Sequence, residues 1–258
     1  MILFPTNYLK LFYFFILLNL IFFYSTIAAA NNDYCSYNVD KLPANVLIID
    51  TLSLIKQNGE YDKDSLKIFQ AGLKDIKGGT KLGQKLIIYK YTKDGSPQRI
   101  FDQCKPGCPE TSILERIVGG VCNKGQALGD VKKYGTNSNG AVANAMKEAK
   151  DNHSQNNNII SKIASLSNEF KQLSSNDNIY IFSNLMENSN YGNFYDTDNE
   201  SVFDRAFVKV INNKLAPTNY GSNIRIYGVE SHKLVLDFWK DLFSINNSQP
   251  ELMSNLLY

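Results

Sequence analysis

Apolar residues along this chain recur with two different spacings, and the two spacings predict strands and helices in alternation. Residues 46–50 consist of four successive apolar residues followed by Asp50. Because no polar residue alternates with the apolar ones, the segment is typical of a strand buried on both faces. Residues 62–76 have apolar side chains at helical spacing, and Gly78-Gly79 marks the end of that helix. The same patterns predict further strands at 85–91, 98–103, 178–183 and 223–229 and further helices at 159–173, 200–215 and 231–243.

Strands that alternate with helices in this way predict an α/β fold of three layers, in which a mostly parallel sheet has helices on both faces. A turn signal, Asp94-Gly95, lies between the second and third strands. We therefore expect a hairpin that adds one antiparallel strand at an edge of the sheet. The resulting Rossmann-like domain covers residues 45–245 and follows an extended arm at 31–44.

The region between this hairpin and the next helix has the weakest pattern. Residues 104–158 are rich in Gly, Asn and Lys, and we expect a long loop there with helical candidates at 111–118 and 139–150. No secondary structure is predicted for the tail at 246–258. Nothing in the sequence indicates an internal repeat or a second domain.

The first 30 residues have the pattern of an export signal. Lys10 precedes an apolar stretch, and the small residues Ala28–Ala30 offer a cleavage site. Residues 11–30 are also about long enough to span a membrane as an uncleaved anchor, although the pattern favours cleavage. Both alternatives place the rest of the chain outside the cytoplasm, in the periplasm or outside the cell.

Four cysteines follow the export signal, and an even number in an exported chain predicts two disulfides. They are Cys35, Cys104, Cys108 and Cys122. Zinc is the alternative for the short spacing between Cys104 and Cys108, but no second pair of cysteines has a similar spacing. We expect either Cys104 or Cys108 to pair with Cys122 and the other one to pair with Cys35.

The charge of the chain is nearly balanced, with 27 basic and 25 acidic side chains. No segment combines clustered basic residues with aromatic residues, which argues against a nucleic-acid partner. The two histidines, His153 and His232, occur without a Gly-x-Ser-x-Gly elbow, and the glycine pairs match no phosphate-binding or dinucleotide-binding motif. The sequence therefore predicts a protein that is not an enzyme.

Polar side chains follow two strands at the point where each strand ends. Asp50, Thr51 and Ser53 follow the first strand, and Ser183-Asn184 follows a later one. Proteins with open parallel sheets bind ligands at the carboxyl ends of their strands, so the candidate site lies there. The alternative is that Asp and Asn only cap the turns after the strands, with no ligand.

Two stretches, together with the order of elements between them, are similar to a known family. They are Val46-Leu-Ile-Ile-Asp50-Thr-Leu-Ser53 and Ile179-Tyr-Ile-Phe-Ser183-Asn184-Leu-Met-Glu-Asn-Ser189. In them the chain resembles a von Willebrand factor A-like (vWA) domain, and more narrowly the exported bacterial vWA-like proteins encoded with mobile or conjugative elements. The likeness covers most of residues 45–245.

The resemblance implies a metal-ion-dependent adhesion site in a degenerate form. Such a site holds Mg²⁺ or a similar divalent cation with oxygen ligands. Asp50 matches the first ligand, but Leu52 and Leu54 stand where hydroxyl groups are expected, and Asn184 stands where a second aspartate is expected. The implied ligand set is Asp50, Thr51, Ser53 and Asn184, with Ser161 or Thr136 as a distant hydroxyl.

The resemblance also implies a function, namely binding of a protein partner in the cell envelope, for example in a conjugation or secretion assembly. Aromatic residues after the second motif are the candidate contacts with that partner, and they are Tyr191, Phe194 and Tyr195. Contact with a membrane is expected only through residues 11–30, if they stay attached. The alternative function is a metal-dependent hydrolase that uses Asp50.

Overall fold

Short runs of β-branched and aromatic residues form the strands at the centre of the structure. The structure is a computed structural model. The structure describes residues 34–37, 40–56, 58–91, 95–109, 122–151, 157–170, 176–196, 198–217, 223–229, 232–246 and 250–253. The predicted export signal at 1–30 and the helical candidate at 111–118 lie outside these ranges.

The described residues form a six-stranded sheet and five α-helices. The strands are β1 (Asn45–Ile49), β2 (Lys85–Tyr91), β3 (Pro97–Cys104), β4 (Asn178–Phe182), β5 (Asn223–Tyr227) and β6 (Glu251–Met253). The helices are α1 (Lys63–Gly79), α2 (Lys124–Asp151), α3 (Ile159–Phe170), α4 (Glu200–Asn212) and α5 (Lys233–Ser244). Short 3₁₀ turns lie at Tyr34–Tyr37 and Thr51–Leu54.

The sheet has the strand order β3-β2-β1-β4-β5-β6. Only β2 and β3 pair in antiparallel fashion, and the other neighbouring strands are parallel. The predicted mostly parallel sheet with one antiparallel edge strand is therefore confirmed. In this order β1 and β4 are neighbours, with Ile49 opposite Phe182, so the two strands end side by side.

Helices cover both faces of the sheet, and side chains of β1 alternate between them. Val46 and Ile48 pack in one apolar cluster with residues of α3, α4 and α5. Leu47 and Ile49 pack in a second cluster with residues of α1 and α2. Because both faces of β1 are buried, its sequence shows no polar alternation. The three-layer α/β architecture predicted from the sequence is confirmed.

Helix α2 lies in a region for which a long loop with a helical candidate at 139–150 was predicted. The candidate is confirmed as part of the helix, whereas the loop predicted for residues 124–138 is wrong. The helix runs from Lys124 to Asp151, although it is rich in Gly, Asn and Lys. Its buried stripe is narrow and formed partly by small or polar residues, namely Ala127, Tyr134, Ser138, Val142 and Ala145. The Tyr134 ring packs edge-on against Phe101 of β3 at 5.3 Å. A stripe with so few large apolar residues gives a weak periodic signal.

A short strand near the carboxyl terminus also differs from the expectation that residues 246–258 have no structure. Strand β6 has three residues and pairs in parallel with β5. Three residues are too few to show a periodic pattern, so only pairing with a neighbouring strand reveals it. Among the helices in the described ranges, none is long and apolar enough to cross a membrane.

All four cysteines form disulfides, as predicted. Cys35 pairs with Cys104, and Cys108 pairs with Cys122. This is one of the two arrangements expected from the sequence. The first disulfide joins the amino-terminal arm to the end of β3, and the second joins two cysteines that are 14 residues apart and precede α2.

Candidate functional site

The carboxyl ends of β1 and β4 bring Asp50 and Ser183 together. The Asp50 amide donates a hydrogen bond to the Phe182 carbonyl at 2.9 Å, which continues the parallel ladder past the end of both strands. The Ser183 hydroxyl donates to Asp50 Oδ2 at 3.0 Å. Asp50 is completely buried, and Ser183 is almost completely buried. The carboxylate therefore lies beneath the surface of the sheet edge.

The partner of the buried carboxylate is Lys162, which projects from the first turn of α3. Its ammonium donates to Asp50 Oδ1 at 2.9 Å and to Asn157 Oδ1 at 2.6 Å. The side-chain amide of Asn157 in turn donates through Nδ2 to Asp50 Oδ2 at 3.2 Å. The side chains of Lys162 and Asp50 are 5% and 0% exposed, so the pair is closed off from solvent. Both carboxylate oxygens of Asp50 thus accept hydrogen bonds from protein donors.

The ammonium also lies 5.3 Å from the centre of the Tyr91 ring, at the end of β2. A cation over an aromatic face is stabilised by the negative potential of the ring. Lys162 therefore has a carboxylate, an amide oxygen and an aromatic ring as neighbours. We refer to Asp50, Lys162, Asn157, Ser183 and Tyr91 as the Asp50 cluster.

Lys162 and Asn157 were not among the residues predicted for the site. A signal for Lys162 is present in the sequence, because it interrupts the apolar stripe of α3 at a position between Ile159, Ile160, Ile163 and Leu166. A lysine in such a stripe needs a buried acceptor or counter-charge. The sequence does not show which acidic residue supplies it.

The remaining residues of the predicted metal site have other roles in the structure. The Ser53 hydroxyl donates to the Asp50 carbonyl at 2.7 Å, and Asn184 Oδ1 accepts from the Met186 amide at 3.0 Å. Both contacts stabilise the turns that follow the strands, which was the alternative explanation for these polar residues. Thr51 is buried in the 3₁₀ turn after β1, and Thr136 is exposed on α2.

These contacts do not fit a divalent cation at Asp50. The ammonium of Lys162 lies within hydrogen-bonding distance of the carboxylate, where a metal ion would have to bind. Ser161, which was predicted as a distant hydroxyl ligand, directly precedes Lys162 on α3, and its backbone amide donates to Asn158 Oδ1. Nor do the described residues contain a group of three His, Cys, Asp or Glu side chains that could hold a metal ion. The predicted site for Mg²⁺ is thus corrected to a site formed around a lysine.

A second buried carboxyl group, Glu187, lies on the loop after β4. Its Oε2 accepts from the Ile160 amide at 2.8 Å, and its Oε1 accepts from the Ser189 hydroxyl. Burial raises the pKa of Glu187 to about 7, while these hydrogen bonds and the charge of Lys162 act in the opposite direction. The Ile160 amide has no partner within the helix because it lies in the first turn of α3, and Glu187 accepts its hydrogen bond. A negative charge is favourable at this end of the helix dipole.

The loop at residues 183–196, which we call the β4 loop, is fastened at several points. Asn188 exchanges two backbone hydrogen bonds with Asn157, at 2.9 and 3.1 Å. The Trp239 indole donates to the Leu185 carbonyl at 2.9 Å, and Leu185 itself has a positive φ of 58°. A non-glycine residue in this conformation indicates that surrounding contacts determine the backbone there.

The structure separates the three aromatic residues predicted to contact a partner. Phe194 is fully buried, with its ring 4.6 Å from the Phe203 ring and 4.7 Å from the Phe238 ring. It offers no surface to a partner, contrary to the expectation, because it anchors the β4 loop in the apolar core. Tyr191 is partly buried against the same core, and Tyr195 is 45% exposed.

A small cavity lined by described residues lies near the Asp50 cluster. The cavity beside Ser183, Asn184 and Phe182 has a volume of about 10 Å³, which is about the space of a single water molecule. A larger cavity of about 320 Å³ lies at the opposite, amino edge of the sheet, where Asp75, Tyr180 and Arg225 are among the lining residues. That cavity does not share residues with the Asp50 cluster.

No protein-family model matches the chain, and no curated protein sequence matches it. The similarity to vWA domains therefore stays a prediction from the two motifs and the order of elements.

Proposed function

We propose that this chain is an exported, vWA-like module that binds another protein through the β4 loop and that it is not an enzyme. The observation that carries the proposal is the way in which this loop is held. Buried contacts fix it from below, while its outer residues, including Tyr195, are exposed to solvent. An ordered loop with exposed aromatic and polar residues is suited to protein recognition.

The contacts that hold the β4 loop favour binding, because they reduce the conformational entropy that the loop has to lose when a complex forms. Phe194 anchors one part of the loop in the core, and the backbone pair between Asn188 and Asn157 anchors another. A loop that already has its bound conformation loses little freedom when a complex forms. Tyr195 then presents a rigid ring with few rotatable bonds, a property that is common in binding surfaces.

The surroundings of Asp50 argue against the alternative function, a metal-dependent hydrolase. A catalytic carboxylate must reach the substrate or a bound water. Both oxygens of Asp50 accept hydrogen bonds from buried side chains, and the neighbouring cavity of about 10 Å³ cannot admit a substrate. Since the carboxylate is engaged and enclosed, the geometry supports a structural role for Asp50.

The two disulfides are consistent with an exported protein, because such bonds persist in oxidising compartments. We propose that the partner is a protein of the cell envelope and that the module belongs to an envelope-spanning conjugation or secretion assembly. The support for this part is the resemblance to exported vWA-like proteins described above. Its location is proposed to be periplasmic or extracellular.

The test places a photo-crosslinking amino acid at Tyr195 in the full chain, in cells that export it. The matched control places the same amino acid at Leu128 of α2, which is 71% exposed. We expect a discrete protein adduct from position 195, none from position 128, and no loss of the adduct when a chelator is added. Equal adducts from both positions, or none from position 195, would contradict the proposal, as would turnover of a hydrolase substrate that depends on Asp50.

A further inference from the structure

We infer that Lys162 is a built-in cation: its ammonium takes the place that a metal ion would occupy at the end of β1 and β4. The inference rests on the contacts of the Asp50 cluster alone and does not depend on the identity of a partner. It explains why oxygen side chains converge on this sheet edge although they do not form a metal site.

The contacts of the ammonium are those of a bound cation. Oxygen atoms of Asp50 and Asn157 lie 2.9 and 2.6 Å from the Lys162 nitrogen, and they come from two different segments of the chain. Ser183, from a third segment, completes the set by donating to the other oxygen of Asp50. The ammonium therefore ties the end of β1 to the start of α3, as a bridging ion does.

The charge of the cluster suits a monovalent cation. Asp50 is the carboxylate in contact with the ammonium, and one positive charge neutralises it. A divalent ion in the same place would carry one positive charge more than Asp50 neutralises, which is strongly unfavourable in a buried environment. The second buried carboxyl group nearby, Glu187, is already engaged by the Ile160 amide and the Ser189 hydroxyl. One lysine and one aspartate give a neutral pair, and Asn157 and Ser183 add hydrogen bonds without adding charge.

The position of Lys162 within α3 is not explained by the helix itself. The residue lies in the first turn, where the partial positive charge of the helix dipole repels a cation. It also lies in the buried stripe, where a lysine loses its hydration. Contact with Asp50 compensates for both effects, so the pair has to be considered as one unit.

The experiment removes the ammonium and returns a free cation. In Lys162→Ala the carboxylate of Asp50 loses its counter-charge, and we expect a lower thermal midpoint than in the wild-type chain. Adding n-propylammonium, which matches the missing part of the side chain, should raise the midpoint of this variant by about 5 °C when it is present well above its dissociation constant. The neutral analogue 1-propanol at the same concentration should not.

Two proteins serve as controls for a general effect of the amine. One is the wild-type chain, and the other is Lys90→Ala, which removes a second buried lysine whose partner Glu148 has a side chain that is 59% exposed. Because Glu148 remains hydrated without its lysine, we expect no response to n-propylammonium. A midpoint shift of equal size in all three proteins, or no shift in Lys162→Ala, would overturn the inference.

A second variant covers the case in which Lys162→Ala does not fold. Lys162→Asp places a second carboxylate beside Asp50, and we expect Mn²⁺ to stabilise it or to allow it to refold, with no effect on the wild-type chain. Absence of any Mn²⁺ response would then count against the inference. The intact mass of the wild-type chain provides a further test. A mass lower than expected by one water would indicate an amide bond between Lys162 and Asp50, and because such a bond carries no charge, it would also overturn the inference.

Discussion

Glu187 is a single side chain whose ionisation is coupled to folding. It is completely buried on the β4 loop, and burial raises its pKa from the usual 4.5 to about 7. Between these two pH values the folded protein keeps a proton that the unfolded chain has released. The stability that this proton contributes is complete below pH 4.5 and is lost as the pH rises to about 7.

We therefore predict that Glu187→Gln changes the pH dependence of stability. From pH 5 to pH 7.5 the wild-type chain should lose about 1–3 kcal/mol of unfolding free energy relative to the variant. Glutamine keeps a carbonyl oxygen for the Ile160 amide and an amide for Ser189, but it does not titrate. Urea unfolding at the two pH values measures the difference. Glu60→Gln, at an exposed position, is the control and should follow the wild-type chain.

A single side chain, that of Lys162, also decides the chemistry of the candidate site. Asp50, Ser53 and Asn184 were all recognised as polar residues after strands, yet one unpredicted neighbour, Lys162, changes what they can bind. An ammonium and a divalent ion compete for the same carboxylate oxygens. Where the lysine is present and buried, its own charge satisfies the aspartate.

At the scale of secondary-structure elements, the contact between α1 and β4 is unusually close at Gly72. A methyl group at this position would come within 2.4 Å of the Phe182 ring, which also packs edge-on against Phe69 at 5.1 Å. Glycine is normally unfavourable inside a helix, by about 1 kcal/mol relative to alanine. Its presence here is explained by the need for space, because the Phe182 ring is almost fully buried and has little freedom to move.

We predict that Gly72→Ala destabilises the protein by about 1–3 kcal/mol, since the steric conflict with Phe182 exceeds the gain in helix propensity. The matched control is Gly129→Ala, within α2, where an added methyl group meets no atom within 4 Å. That variant should be more stable than the wild-type chain by roughly 0.5–1 kcal/mol. Chemical denaturation of both variants measures the opposite signs, and two changes of the same sign would refute this explanation.

Element boundaries show where periodicity is a reliable guide. The sequence predicted β2 correctly from end to end, and the helix predicted at 159–173 is confirmed over Ile159–Phe170, with residues 171–173 outside the described ranges. Both elements have several large apolar residues at regular spacing. Helix α2 lacks such a stripe, so the sequence predicted a helix only for residues 139–150 and a loop before them, although the backbone is helical from Lys124 to Asp151.

At the scale of the whole molecule, the two disulfides constrain very different lengths of chain. Cys35 and Cys104 are 69 residues apart in sequence, and Cys108 and Cys122 are 14 residues apart. A cross-link that closes a longer loop removes more conformational freedom from the unfolded chain. The first disulfide also holds the amino-terminal arm against β3.

We predict that replacing Cys35 and Cys104 by serine lowers the unfolding free energy by about 4 kcal/mol, and that replacing Cys108 and Cys122 lowers it by about 3 kcal/mol. The two double variants serve as controls for each other, because each retains one disulfide. Guanidinium unfolding under oxidising conditions measures the order. A larger loss for the Cys108 and Cys122 variant would show that local structure around the short loop outweighs chain entropy.

The α/β class, the mostly parallel sheet with an antiparallel edge and the presence of disulfides followed from the sequence alone. These features depend on local spacing and on composition, and both can be read along the chain. The carboxyl ends of β1 and β4 were also identified as the candidate site. The pairing of Asp50 with Lys162 and the burial of Phe194 were decided only by the tertiary structure. The partners Asp50 and Lys162 are 112 residues apart, and no local pattern specifies which buried charge meets which. Only the packing of α3 against the sheet brings the ammonium to the carboxylate, and that contact determines which cation the site holds.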